Sequence, residues 1–298
     1  MSNTFYNVTS TTSFSTDGDI FDVLNGASLD LTGSSNTVVV QSRPDNGQTD
    51  TAQIFILGNN NTVVARDTSG IHAILGGSGN VVMMGSNSLV SDDGGIGDTI
   101  TVGAGGWVAA GQNATVNATG GGTYIPIVQN NGVVVNGNND SITLCWSSSQ
   151  VNGDGNQIFL GWGNDTLKLN GSNNTIDFGG GNNSVDLYGS NNVMSFSANG
   201  GAEQIRTASG YWLMEDENGS ISYSASSVSL KDGVATIGLG NGNVVTVSDV
   251  GPDAIGAVGQ INQLISAMAS YQNGTADVST TLLMQATADT SLFASAHH

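Results

Sequence analysis

Residues 156–196 read, in aligned blocks, NQIFLGWG (156–163), NDTLKLNGS (164–172), NNTIDFGGG (173–181), NNSVDLYGS (182–190) and NNVMSF (191–196). Ile158, Leu167, Ile176, Val185 and Met194 recur every nine residues, and so do Leu160, Leu169, Phe178, Leu187 and Phe196. A triplet such as Ile176-Asp177-Phe178 alternates with period two, so both apolar side chains face one side and the residue between them faces water, as in a short strand. The intervening Gly, Ser and Asn tolerate positive φ and hydrogen-bond their own backbone, which a tight corner requires. A strand of about five residues and a turn of about four leave no room for a crossover helix, so the chain has to coil. Stacked coils lie about 4.8 Å apart in parallel, each burying its apolar pair against its neighbours.

Working outward from this stretch, the same frame runs through Ile20, Leu29, Val38, Ile54, Val63, Val81, Val90, Ile100, Val108, Val116, Ile125, Val133, Ile142 and Val151, with His72 in one slot as a packed side chain. The repeats fill about residues 16–200. Gln41 to Ala52, with Arg43, Pro44 and Asp45, interrupts the rhythm and reads as a loop. The expected fold is therefore all-β: a parallel β-solenoid or β-roll with about nine residues per strand-turn unit. Two or three units could complete a coil. Two units place Lys168 one coil from Asp186, where they should meet across adjacent strands, and three place it beside Ser195.

Two positions before the first apolar residue of a unit, the chain favours Asn or Asp: Asn36, Asn61, Asp98, Asp140, Asn156, Asp165, Asn174, Asn183 and Asn192. Their side chains are expected to bond the backbone of the turns and to form ladders between coils.

Composition limits the function. With 43 glycines in 298 residues and 10% charged residues, a helical or α/β enzyme is not expected. Disorder is equally disfavoured, because the 38% hydrophobic residues recur at fixed spacing. The formal charge is −19, from 24 acids against Arg43, Arg66, Lys168, Arg206 and Lys231. Nucleic acid and anionic membranes need clustered cations and are not expected partners. Cys145 is the one cysteine, so no disulfide forms within a chain. Met1 to Ser15 has neither a basic start nor an apolar run, so no Sec-type signal peptide is expected there, and no stretch reaches the length of a membrane span.

In its period and turns the chain resembles the repeats-in-toxin (RTX) family, whose nonapeptide is G-G-x-G-x-D-x-U-x. Leu160-Gly-Trp-Gly-Asn-Asp165-Thr-Leu-Lys168 matches apart from the leading glycine positions, and Gly94-Gly-Ile-Gly-Asp98-Thr-Ile is a match shortened by one residue. The resemblance implies that stacked coils share calcium through the Asp position, which makes Asp98 and Asp165 candidate Ca2+ ligands. Elsewhere that slot is mostly Asn, and in a two-unit coil Asp165 neighbours Ser147 and Asn183 with no second carboxylate, so few or weak sites are expected.

Four regions follow. Residues 1–15, with Phe5, Val8 and Phe14 among Thr and Ser, read as a strand able to complete a neighbouring molecule's sheet. Residues 16–200 are the solenoid. Residues 201–250 carry strand patterns split by Asn218-Gly219, Asp232-Gly233 and Gly240–Asn243, the signature of an antiparallel cap. In 251–298, Ile255, Val258, Ile261, Leu264, Ile265, Met268 and Tyr271 form an amphipathic helical stripe. Gln263 to Tyr271 resembles the C-terminal run of type I secreted RTX proteins, and the tail ending in Leu292-Phe293-Ala294 resembles their export signal.

No catalytic constellation stands out, since His72, His297 and His298 are the only histidines and an activity is not expected. Trp146 and Trp162 occupy equivalent corners sixteen residues apart and are candidates for a flat sugar-binding surface. The expectation is a bacterial extracellular structural protein of a surface layer, matrix or fibre that assembles with itself through solenoid ends or edge strands. The alternative is a module that binds or modifies polysaccharide, as a lyase or epimerase does.

Overall fold

A computed structural model of the chain describes residues 3–24, 26–41, 52–65, 70–92, 94–198 and 201–250. From Phe5–Val8 onward, successive strands go alternately to two sheets, and this continues to Val193–Ser197. Each coil therefore contributes one strand to each sheet. Neighbours within a sheet are parallel: Thr166–Asn170 pairs in register with Ser148–Asn152 and with Ser184–Tyr188. The molecule is a parallel β-solenoid with two strands per coil, all-β throughout the described residues.

The inward faces of the two sheets meet in one continuous core. Leu167, Leu169, Val185 and Leu187 line it from the first sheet, and Ile158, Leu160, Ile176 and Met194 from the second, all essentially inaccessible to water. Three positions in the extended frame face the other way. Phe21, Val82 and Ala73 are buried, whereas Ile20, Val81 and His72 take the neighbouring outward positions; His72 pairs with Gln53 and Leu89 in an outward row. A slip of one residue turns a strand over, and Ile20-Phe21 and Val81-Val82 offer two apolar residues side by side between which periodicity alone cannot choose.

The register identifies the coil. Lys168 is the direct Cα partner of Asp186, as two units per coil require. Their charges nonetheless stay apart: Lys168 Nζ lies 5.4 Å over the Tyr188 ring, and the cation beside Asp186 is Arg206, at 4.0 Å. A lysine stem that lies along the sheet gains an aromatic face that a direct pair would forgo. The loop expected over Gln41 to Ala52 falls almost wholly outside the described residues, between strands Thr37–Gln41 and Gln53–Leu57.

At the far end both sheets turn antiparallel. Gln204–Thr207 stacks parallel on Ser184–Tyr188, then Trp212–Glu215 and Ile221–Ser224 follow as a meander. In the second sheet Val244–Ser248 stacks parallel on Val193–Ser197, with Val234–Gly238 and Ser227–Lys231 antiparallel beyond it. The antiparallel strands are thus continuous with the solenoid, sharing both sheets and the core. The expected helical stripe and export-like tail lie outside the described residues.

Candidate functional site

The Asn and Asp positions form ladders inside the corners. Along one, Asp19, Asn36 and Asn61 each donate a backbone N–H to Oδ1 of the next residue, Asn36, Asn61 and Asn80, at 2.9 Å. Along another, Asp140, Asn156, Asn174 and Asn192 donate in the same way to Asn156, Asn174, Asn192 and Asn243. The side-chain amides donate onward to carbonyls, as Asn174 Nδ2 does to Gly153. The ladders satisfy buried backbone N–H groups of these corners without water, while Asn80 Nδ2 and Asp140 Oδ2 have no hydrogen-bond partner among the described residues.

Where Asp replaces Asn, the second carboxylate oxygen has no amide hydrogen to give. Asp98 Oδ1 accepts from the Asn80 N–H at 2.5 Å, while Oδ2 has no hydrogen-bond partner among the described residues. It points to the glycine corner Gly94-Gly95-Ile96-Gly97, where Asp92 Oδ1 and Asp98 Oδ2 together fill the space a Cβ on Gly95 would take. Asp92 Oδ2 also accepts from the Gly111 N–H at 3.1 Å. Two buried carboxylates therefore meet at one corner, a partner for Asp98 that the nonapeptide pattern does not reveal. Such a pair fits a hard divalent cation such as calcium in donor chemistry.

Asp165 is placed as the two-unit coil requires. Its Oδ1 accepts from Ser147 N–H at 2.8 Å, and its own N–H donates to Asn183 at 3.0 Å. Its Oδ2 is buried without a partner, and burial pushes its pKa up. The expectation of no further carboxylate is corrected by the structure, because Asn183 Nδ2 donates to Glu203 Oε1 at 3.2 Å. Glu215 follows on the next strand, its N–H bonded to the Glu203 carbonyl at 2.8 Å. Glu203 Oε2 and both Glu215 oxygens are buried without hydrogen-bond partners, and burial pushes both pKa values up to about 7. The nine-residue frame stops before 200, so these glutamates fell outside it. Among the described residues no three His, Cys, Asp or Glu side chains converge as a metal cage.

The residues of the first coil separate. Phe5 is exposed, Val8 is buried in the core, and Phe14 turns inward. Phe14 packs with Tyr6 and Phe21, ring centroids 4.6 to 5.0 Å apart, so this aromatic group closes the core at its first coil. Among the described residues no strand pairs with the outer edges of Phe5–Val8 or Thr12–Ser15.

Trp146 and Trp162 are both exposed at the corners of the second sheet. The Trp146 indole lies on Gly163, filling the space of a Cβ there, and makes no ring contact with Trp162. Comparison of the chain with protein-family models, with curated proteins and with solved structures finds no match.

Proposed function

We propose that the protein is an exported, RTX-like structural component of a bacterial cell surface or matrix, and that it associates with a second copy through its first coil. The observation that carries this reading is the asymmetry of the rod. Residues 3–16 contain no charged residue, and the two strands there continue the sheets with no strand paired to their outer edges among the described residues. Edge strands of soluble proteins are usually blunted by charge, proline or a bulge, and these carry none of the three. The other end carries Lys231 on its outermost strand and reverses to antiparallel hairpins.

Two such ends can pair about a two-fold axis, extending both sheets at once. The corner of Asp92 and Asp98 fits the calcium-rich surroundings this reading implies, and would hold one Ca2+.

Light scattering of the full chain and of an Asn7→Lys/Ser13→Lys variant tests the reading. Both substitutions place a cation on an outward position of an edge strand and leave the core intact. The wild type is expected as oligomers of the 30.2 kDa chain and the variant as monomer. A monomeric wild type, or equal oligomers from both, would refute the interface.

A further inference from the structure

The outward face of the first sheet, near its antiparallel end, has features that neither the repeats nor the assembly reading uses. Gln150, Lys168, Asp186 and Arg206 form one cross-strand row, and Trp212 is the antiparallel partner of Arg206. Beside them a cavity of about 340 Å³ is lined by Arg206, Thr207, Gly210, Tyr211, Trp212 and Met214. Lys168, Arg206 and Lys231 are the Lys and Arg residues among those described, so two of the three lie on this one row of an otherwise acidic molecule.

Neither cation is held in a hydrogen-bonded ion pair among the described residues. Arg206 has a side chain 57% exposed and a single ion pair, with Asp186 at 4.0 Å, which is longer than a hydrogen bond. Lys168 rests over Tyr188 and makes no ion pair among the described residues. Aromatic surface surrounds them: Tyr188 is exposed, Trp212 is half-buried, and the half-buried Tyr211 ring is held against Gly240, where a Cβ would collide with it. A fixed ring, a second aromatic face and a guanidinium with free donors are the parts that recognise a flat, carboxylate-bearing ring.

We propose that this cavity binds a uronic acid unit of an acidic polysaccharide, the Arg206 guanidinium taking the sugar carboxylate and Trp212 and Tyr211 taking its C–H faces. Arg presents two parallel N–H donors that match a carboxylate, which favours an acidic over a neutral sugar. Lys168 stands two strands away, about 10 Å, so it reaches a neighbouring unit of the same chain rather than the same sugar. The negative net charge does not forbid this contact, because charges beyond about 8 Å are screened at physiological salt. Glu203, just before Gln204–Thr207, and Glu215, at the end of Trp212–Glu215, are buried, so the acid beside Arg206 on this row is Asp186.

Isothermal titration of the full chain at pH 6 with galacturonic acid trimer, and with maltotriose as the neutral trimer, tests the site. The acidic trimer should bind and maltotriose should not. Arg206→Gln and Trp212→Ala should each weaken binding by about tenfold or more, and Lys231→Gln should leave it unchanged. Circular dichroism confirms that each variant keeps its β signal. Equal binding of the two trimers, binding unchanged in Arg206→Gln, or no binding of the acidic trimer would overturn the proposal. None of these outcomes depends on the first coil, so the site and the assembly reading fail independently.

Discussion

The buried N–H of Asn156 is satisfied by Oδ1 of Asn174, one coil further on, at 2.8 Å. Asn174 in turn donates from Nδ2 to Gly153 and from its own N–H to Asn192. With a further bond from Nδ2 to Asn192 Oδ1 at 3.0 Å the side chain joins three coils, and its loss strands the buried Asn156 N–H and a part-buried carbonyl. Asn174→Ala should lower the unfolding free energy by about 1–3 kcal/mol in urea denaturation. Asn164→Ala, removing an exposed bond of the same kind, should stay within about 0.5 kcal/mol.

Stacked corners also fix where a side chain is allowed. Gly181 has φ of +111°, and a Cβ there would fall on the Gly163 carbonyl of the previous coil. Gly18 has φ of +75° with open space around it. Gly181→Ala should therefore cost more than the roughly 1 kcal/mol expected of Gly18→Ala, because only the first adds a steric clash to the backbone strain. Thermal unfolding of the two variants gives the order directly.

Stability should fall as pH rises towards neutrality. Glu203 and Glu215 have pKa values raised from 4.5 to about 7 by burial, so the folded chain binds more protons than the unfolded chain between those limits. Their contribution is fully present below pH 4.5 and is lost as pH rises through about 7. Asp140 and Asp165, also raised by burial, act in the same direction. Asp19, lowered chiefly by the Thr16 hydroxyl, and Asp216, lowered by the Ser220 and Asn218 N–H groups, act oppositely but in more acid solution. The melting temperature should drop from pH 5 to pH 8, and a Glu203→Gln/Glu215→Gln variant should flatten the profile.

Calcium should raise the unfolding midpoint through the corner of Asp92 and Asp98. A ligand at a hundred times its dissociation constant adds about 2.7 kcal/mol. Asp98→Asn should abolish the effect and Asp165→Asn should not, since the other carboxylate of the Asp165 ladder, Glu203, stands two coils away and accepts from Asn183. Calorimetry with calcium and with a chelator makes the comparison.

Much of the fold was legible because nine-residue spacing and two-residue alternation are both properties of the chain itself. The Asn slot was legible too: a polar residue at a buried corner has few roles besides satisfying its neighbours' backbone. The facing of Ile20 and Val81 was not, because adjacent apolar residues leave alternation ambiguous. Nor was the register shift between Asn131 and Val133, an irregularity that the repeat spacing does not announce. Of the candidate sites, Asp98 and Asp165 carry a motif. Asp92 lies outside the motif and meets Asp98 only because the corner folds back. Glu203, Arg206 and Trp212 sit beyond the regular repeats, where pairing turns antiparallel and no period remains to place them.

End-on association of a narrow rod is best tested by small-angle X-ray scattering over a concentration series. Fourteen strands per sheet make a rod about 60 Å long. With rising concentration the particle should lengthen by about one such rod while its cross-sectional radius stays constant, and the Asn7→Lys/Ser13→Lys variant should not lengthen. A thickening cross-section, or a length that never changes, would contradict association through the first coil.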